Sequence, residues 1–272
     1  MFLPRIASSR AGLTLLELVV VLGILVILAS LVVPNVGGLI FQSRHAGNAA
    51  MVGDVNRAVN AYVARFCKHP DRWDSLLDNS TSTLFNKLDS DLSIANVMLP
   101  GLVVNPLSTA QAASLQAAGI TTLLDADNAR SVTGAANFVY PSDNASANRA
   151  VVSGTQMAFL TKPATAVPPY GTTFMDVAFG LNPQKTEKWA NEFIVVGLGT
   201  QNAMRGSTMA DIPVVQSATP LNFYARVLCV YMVPGSTATT SFPARYVGCF
   251  LPDGTSLPTS LMDYNKAGAL DQ

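Results

Sequence analysis

A single carboxylate stands inside the most apolar stretch of the chain. Glu17 is the only charged residue between Leu13 and Val33. A carboxylate in such a stretch costs about 2–3 kcal/mol even on mild membrane-insertion scales, so it is a functional candidate whose partner must be sought. As a helix the run would measure about 32 Å, close to the thickness of a bilayer core. The pattern therefore predicts a membrane-spanning helix with one charge near its start.

The residues before this run form a short basic leader. Residues 1–12 contain Arg5 and Arg10 and no acidic residue, a composition that favours the cytoplasmic side of a membrane. An ordinary secretory signal has its small-residue cleavage site after the apolar run. Here the small residue Gly12 comes before the run instead, so ordinary signal cleavage is not expected.

The junction between leader and apolar run matches a known motif. Gly12-Leu13-Thr14-Leu15-Leu16-Glu17 resembles the prepilin signal of type IV pilins and type II secretion pseudopilins. The resemblance implies cleavage between Gly12 and Leu13 by a prepilin peptidase, which also methylates the new amine of Leu13. Glu17 and Pro34 then fall where the family carries its glutamate and a helix-breaking proline. The family usually has Phe where this chain has Leu13.

Cleavage would leave a cationic amine on Leu13 within apolar surroundings. A carboxylate of a neighbouring subunit, Glu17, could neutralise it, since a buried charge is tolerable only when paired. Glu17 would then set the register between subunits; the alternative is a carboxylate at the headgroup level of a plain signal anchor. Pro34, followed by Gly37 and Gly38, predicts a break or kink in the helix, with or without a role in assembly.

Beyond the apolar run the pattern becomes amphipathic. Apolar residues recur at steps of three and four, as on one face of a helix: Val52, Val55, Val59, Tyr62, Val63 and Phe66. Pro70 disfavours a helical His69. One helix is therefore predicted over residues 13–66, with its apolar stripe packed on a sheet; a coiled coil is the alternative. The predicted organisation is a leader at 1–12, an assembly helix at 13–67 and a globular head at 68–272.

The head combines one short helix with several strands. Ser108 and Gln111 fit a capping box, and Gly119 can end the helix that they begin. Strand patterns are spread over four segments: 137–140, 192–198, 223–233 and 244–251. Because the strands gather late in the chain, the predicted fold class is α+β. The resemblance implies the pilin-like form, a long hydrophobic helix packed on a C-terminal, mainly antiparallel sheet.

Three cysteines add a covalent possibility. Cys229 and Cys249 lie on the last two predicted strands. If these strands are neighbours the two residues could form a disulfide, and the family resemblance implies such a staple of the C-terminal region. Two buried thiols are the alternative. Cys67 would stay free or compete for either partner.

Other chemistry finds little support in the sequence. His45 and His69 lack a second metal-type ligand at helical spacing, and Asp125, Asp127 and Asn128 lack the remaining ligands of a calcium loop. No catalytic motif is present, so neither an enzyme nor a cofactor is expected. Removal of the two leader arginines leaves the chain slightly acidic, which argues against nucleic acid as a partner.

The function that the resemblance implies is structural. The chain is expected to be a major or minor subunit of a type IV pilus-like or type II secretion filament. Its expected partners are prepilin peptidase, copies of itself or other pilins, the inner membrane and an assembly platform. Its expected location is a single pass through the bacterial inner membrane with the head outside, followed by a filament. The alternatives are a binding module at a filament tip and a simple membrane-anchored protein.

Overall fold

The computed structural model describes residues 15–78, 82, 84, 102–126, 148–160, 191–213 and 226–251 of the chain; side chains of 28–42, 44, 45, 78 and 126 are outside this description. The chain divides into two compact units, Met1–Ser43 and Arg44–Gln272. The predicted strand over 137–140 lies outside the described residues.

Helix α1 runs from Leu15 to Phe66 and is 52 residues long. Its first turn carries Glu17 and its last turn Arg65, the charges that a helix dipole favours at each end. The helix continues through Pro34, so the predicted break does not end it. A proline removes one backbone hydrogen bond, and a helix can continue past that loss. At the other end Cys67, with φ 53°, leaves the helix.

None of the described helical residues provides a stretch that is both long and apolar enough to cross a bilayer. This overturns the expected transmembrane segment and the expected single pass through the inner membrane.

The unit from Arg44 onward contains the sheet. Its elements after α1 are β1 (Trp73–Asp78), β2 (Leu102–Pro106), α2 (Thr109–Ala118), β3 (Thr122–Ala126), β4 (Asn148–Ala150), β5 (Gln156–Leu160), β6 (Asn191–Gly197), β7 (Leu228–Pro234) and β8 (Arg245–Phe250). Within the described ranges they make one eight-stranded sheet in which β2, β5, β6, β1, β3 and β4 are successive neighbours. Strand β7 pairs with β6, and β8 pairs with β7.

The sheet corrects the predicted fold class. Strands β1 and β3 are parallel, so the sheet is mixed. Five of its strands, β1 to β5, precede residue 161, and α2 is inserted between β2 and β3. The pilin-like prediction of one long hydrophobic helix followed by a C-terminal sheet is therefore wrong. The prediction failed because β1 and β3 to β5 are short and carry polar residues, which hide the period-two pattern of a strand.

The strands of the C-terminal half are the ones with strong sequence patterns. Strands β6, β7 and β8 confirm the strands predicted over 192–198, 223–233 and 244–251, although β7 begins only at Leu228: Arg226 and Val227 precede it, and 223–225 lie outside the described residues. Alternate residues of β6 enter two core clusters: Ile194 and Val196 belong to one, and Phe193 and Val195 to the other. A strand buried on both faces reads as a continuous apolar run.

Helix α2 also confirms its prediction. The Ser108 side chain accepts a hydrogen bond from the backbone N–H of Gln111, and the Gln111 side-chain Oε1 accepts one from the backbone N–H of Ser108. Gly119, at φ 95°, forms the left-handed C-cap. Gln111 Nε2 also donates to Glu192 Oε2 at 2.7 Å and to the Pro234 carbonyl at 3.0 Å. The residue that caps the helix therefore also fixes it to β6 and β7.

The second half of α1 supplies the core with an apolar stripe. Val52, Val55 and Val59 are fully buried, Tyr62 is nearly so, and all four belong to the larger core cluster. That cluster includes Trp73, whose Nε1 donates to the Pro70 carbonyl at 2.6 Å. The stripe thus packs on the sheet, as the spacing of its residues predicts.

Candidate assembly surface

The first turns of α1 form an exposed apolar surface. We call Leu15–Ile27 the N-terminal apolar segment. Its large aliphatic side chains are all at least half exposed, from 50% at Val21 to 82% at Leu15. An apolar surface this continuous marks an interaction site in a folded protein.

Glu17 is the only titratable residue of this segment. It lies in the first turn of α1, where a carboxylate stabilises the helix dipole. Gly12 and Leu13, the residues of the predicted cleavage and methylation site, lie outside the described residues. Their roles remain predictions, as does the register role of Glu17.

A second group of residues joins α1 to the end of the sheet. We call Val52, Asn56, Cys229, Tyr246 and Cys249 the helix–strand junction. The Tyr246 hydroxyl donates to Asn56 Oδ1 at 2.6 Å. The Cys249 sulfur lies 3.5 Å from the same oxygen and 3.5 Å from the Val52 carbonyl, so its single S–H can donate to either acceptor. A polar contact of α1 therefore lies within an otherwise apolar packing surface.

The two cysteines of the junction are direct neighbours. Cys229 on β7 is the register partner of Cys249 on β8. Both are buried and both are free thiols in the structure, which is the alternative to a disulfide given above. Cys67 is also a free thiol and is exposed at the end of α1. The sequence therefore identified the right pair of neighbours, and their oxidation remains a prediction.

Burial favours the neutral forms of Cys229 and of the two neighbouring tyrosines. It raises the pKa of Cys229 well above its ordinary value, assisted by a hydrogen bond with Cys249. Burial likewise raises the pKa of Tyr231 and of Tyr246, and the nearby thiols add to both effects. Neutral thiols and phenols are poor nucleophiles. The arrangement therefore suits packing and hydrogen bonding better than catalysis.

His69 lies beside the junction at the end of α1. Its ring meets Tyr231 edge-on, with the centroids 5.2 Å apart. Among the described residues neither His69 Nδ1 nor the Tyr231 hydroxyl has a hydrogen-bond partner. Burial lowers the pKa of His69, because an imidazolium would lose hydration there.

Asp125, the acidic residue considered for a cation site, already forms hydrogen bonds within the protein. Asp125 accepts hydrogen bonds from the Ser75 hydroxyl and from Arg149 Nη2, the latter at 2.8 Å. Asp127 and Asn128 lie outside the described residues. In the described part of the chain no cluster of three metal-type ligands occurs.

Sequence reasoning missed Asn56. It stands on the same helix as the buried valines, but a lone asparagine in an amphipathic pattern carries no recognisable signal. Its partner Tyr246 is 190 positions away. Only the packing of α1 against β8 brings the two together.

Comparisons with known proteins identify no relative. No protein-family model matches the chain, and searches among curated proteins and solved structures return no match. The resemblance to the prepilin signal therefore depends on the N-terminal residues themselves.

Proposed function

We propose that this chain is a structural subunit of a filament of the type IV pilus or type II secretion kind. Prepilin peptidase would cut it between Gly12 and Leu13, and it would assemble through the N-terminal apolar segment. The observation that carries the proposal is the exposure of that segment, at least half for each large aliphatic side chain from Leu15 to Ile27.

The apolar residues cover the helix all the way round. Leu18, Val19, Val20, Val21 and Leu22 are consecutive, and each is 50–56% exposed. Since consecutive residues of a helix point about 100° apart, this run presents apolar surface in every direction. A helix that is apolar all round is a buried helix in its working state. A bundle of the same segment from several copies would cover it.

Charge complementarity favours copies of the same chain as the occupants. Cleavage would give each copy a cationic amine at Leu13, four positions before its own Glu17. In a staggered bundle the amine of one copy can meet the carboxylate of the next. Each pair would neutralise two charges that are costly to bury separately.

The test is the mass of the mature N-terminal peptide after co-expression with an active prepilin peptidase. A peptide that begins at Leu13, with or without one added methyl group, supports the proposal. A peptide that begins at Met1 or Phe2, or beyond Val33, contradicts it. Gly12→Val should block cleavage. Gly23→Ala is the matched control, since a Cβ at Gly23 meets nothing within 4 Å.

A further inference from the structure

The opposed thiols of β7 and β8 are placed for a covalent bond. Cys229 and Cys249 are register partners in an antiparallel pair. Such partners have Cα atoms about 4.5–5.5 Å apart, which is within the range that a disulfide spans. Joining them needs no change in strand register.

The same pair is also connected to α1. The single S–H of Cys249 can donate either to the Val52 carbonyl or to Asn56 Oδ1, each 3.5 Å from the sulfur. A disulfide sulfur has no hydrogen to donate. The hydrogen bond of Cys249 to α1 can therefore exist only while this cysteine is a thiol.

We propose that Cys229 and Cys249 form a redox-sensitive contact between α1 and the sheet. The dithiol holds α1 near Asn56 against β8, and disulfide formation releases that hydrogen bond. The inference deepens the proposed function, because α1 is the helix through which assembly is proposed. Oxidation would loosen the attachment of this helix to the sheet.

The chemistry is thiol–disulfide exchange. The oxidant is a disulfide of a small molecule or of a partner protein. The two cysteines lose two protons and two electrons and gain one S–S bond. The oxidant's S–S bond breaks, and its sulfurs leave as two thiols. The reaction passes through a mixed disulfide on one cysteine, which the other cysteine then attacks.

Packing would control when this reaction occurs. Both side chains are buried, Cys229 completely, so a disulfide reagent cannot reach them while β8 is in place. Burial also raises the pKa of Cys229, which keeps the reactive thiolate scarce. Oxidation should therefore occur before β8 packs or during its transient opening.

The experiment compares amide hydrogen exchange in α1 between two forms of the full chain in detergent. A Cys67→Ser background removes the exposed third thiol. One sample is refolded with glutathione disulfide and the other with dithiothreitol, and the loss of two hydrogens is checked by intact mass. In the oxidised form, amides near Asn56 should exchange about threefold to tenfold faster, the equivalent of one hydrogen bond.

Variants distinguish loss of the Cys249 hydrogen-bond donor from formation of the disulfide. In the reduced state Cys249→Ala should show the faster exchange, and Cys249→Ser, which keeps a donor, should restore much of the protection. Cys229→Ala should make exchange insensitive to the oxidant. Equal exchange in the two refolded forms, or failure of the disulfide to form, would overturn the inference. These readouts need neither cleavage nor filaments, so they can fail independently of the proposed function.

Discussion

The Tyr246 hydroxyl donates a hydrogen bond of 2.6 Å to Asn56 Oδ1 and so joins β8 to α1. The same asparagine oxygen accepts from the Cys249 thiol. One amide of α1 therefore satisfies two donors of the sheet, in a surface that is otherwise packed with valines. Loss of that amide would remove the acceptor of the Tyr246 hydroxyl, whereas the Cys249 thiol would keep the Val52 carbonyl at 3.5 Å.

We expect Asn56→Ala to lower the free energy of unfolding by about 0.5–1.5 kcal/mol, the usual net contribution of one hydrogen bond, because the Tyr246 hydroxyl is part-buried. Asn60→Ala is the matched control, because Asn60 is exposed on the same helix. The measurement is urea unfolding of the full chain in detergent. Equal unfolding midpoints for the two variants would contradict the role of Asn56.

A second prediction concerns the close approach of Gly199 to Asp74. A Cβ at Gly199 would collide with the Asp74 carboxylate, which is buried in β1. Gly199→Ala should therefore destabilise the protein by about 1–3 kcal/mol, as overpacking does.

The control for this prediction is a substitution at a second glycine, whose surroundings leave room for a side chain. A Cβ at Gly53, inside α1, meets nothing within 4 Å. Gly53→Ala should stabilise the protein by about 0.5–1 kcal/mol, since glycine is unfavourable inside a helix. Thermal unfolding of both variants measures the two effects. Shifts of the same sign would refute the assignment of a close contact at Gly199.

His69 should make stability depend on pH on the acidic side. Burial lowers its pKa below the ordinary value of 6.5, so the unfolded chain binds a proton more readily than the folded one. The stability that neutral His69 contributes is therefore fully present above about pH 6.5. It is lost as the pH falls through the lowered pKa of the folded state.

The urea midpoint of unfolding between about pH 7.5 and 5 measures this loss of stability. His69→Gln should make the loss smaller. It keeps the backbone hydrogen bond from residue 69 to the Ala118 carbonyl. Alkaline destabilisation should persist in the variant, because the raised pKa values of Cys229 and Tyr231 remain. An unchanged acid-side slope would show that His69 is not its source.

Glu17 should be needed for assembly but not for cleavage. Glu17→Ala should yield the same mature N-terminus as the parent chain. It should reduce the yield of sheared filaments by more than about tenfold, because breaking a buried charge pair typically costs about 3–5 kcal/mol. Glu17→Asp, which keeps the charge, is the control and should retain part of the yield. A normal filament yield from Glu17→Ala would remove this account of the charge.

The elements that were predicted correctly are those that local sequence signals determine. Helix α2 was predicted because Ser108, Gln111 and Gly119 carry the whole capping signal within one short segment. Strands β6 and β7 were predicted because burial on both faces makes them nearly continuous apolar runs. Strand β8 was predicted because turn-forming residues flank it on both sides. The sequence placed Cys229 and Cys249 on the last two of these strands, and the structure shows that the strands are neighbours with the two cysteines opposed.

What the sequence did not predict depends on distant contacts. Strand β1 carries two aspartates and a serine, and Leu76 adopts a φ of 65° where the pairing register with β3 shifts. No local sequence pattern predicts such a strand, because it depends on pairing with β3 and β6, which are distant in the sequence. The junction of Asn56 with Tyr246 was missed for the same reason. The N-terminal motif, by contrast, is entirely local.

The parallel pairing of β1 with β3 has a consequence for how the chain folds. Trp73 pairs with Leu123, so a loop of about 50 residues must close before this contact forms. The conformational entropy of that loop is lost before the contact stabilises the chain. The hairpin of β7 and β8 is more local and can form earlier. We expect this parallel pairing to be completed late, so that a folding intermediate already holds the β7–β8 hairpin while the side chains of Trp73 and Leu123, buried in the finished protein, are still exposed to solvent.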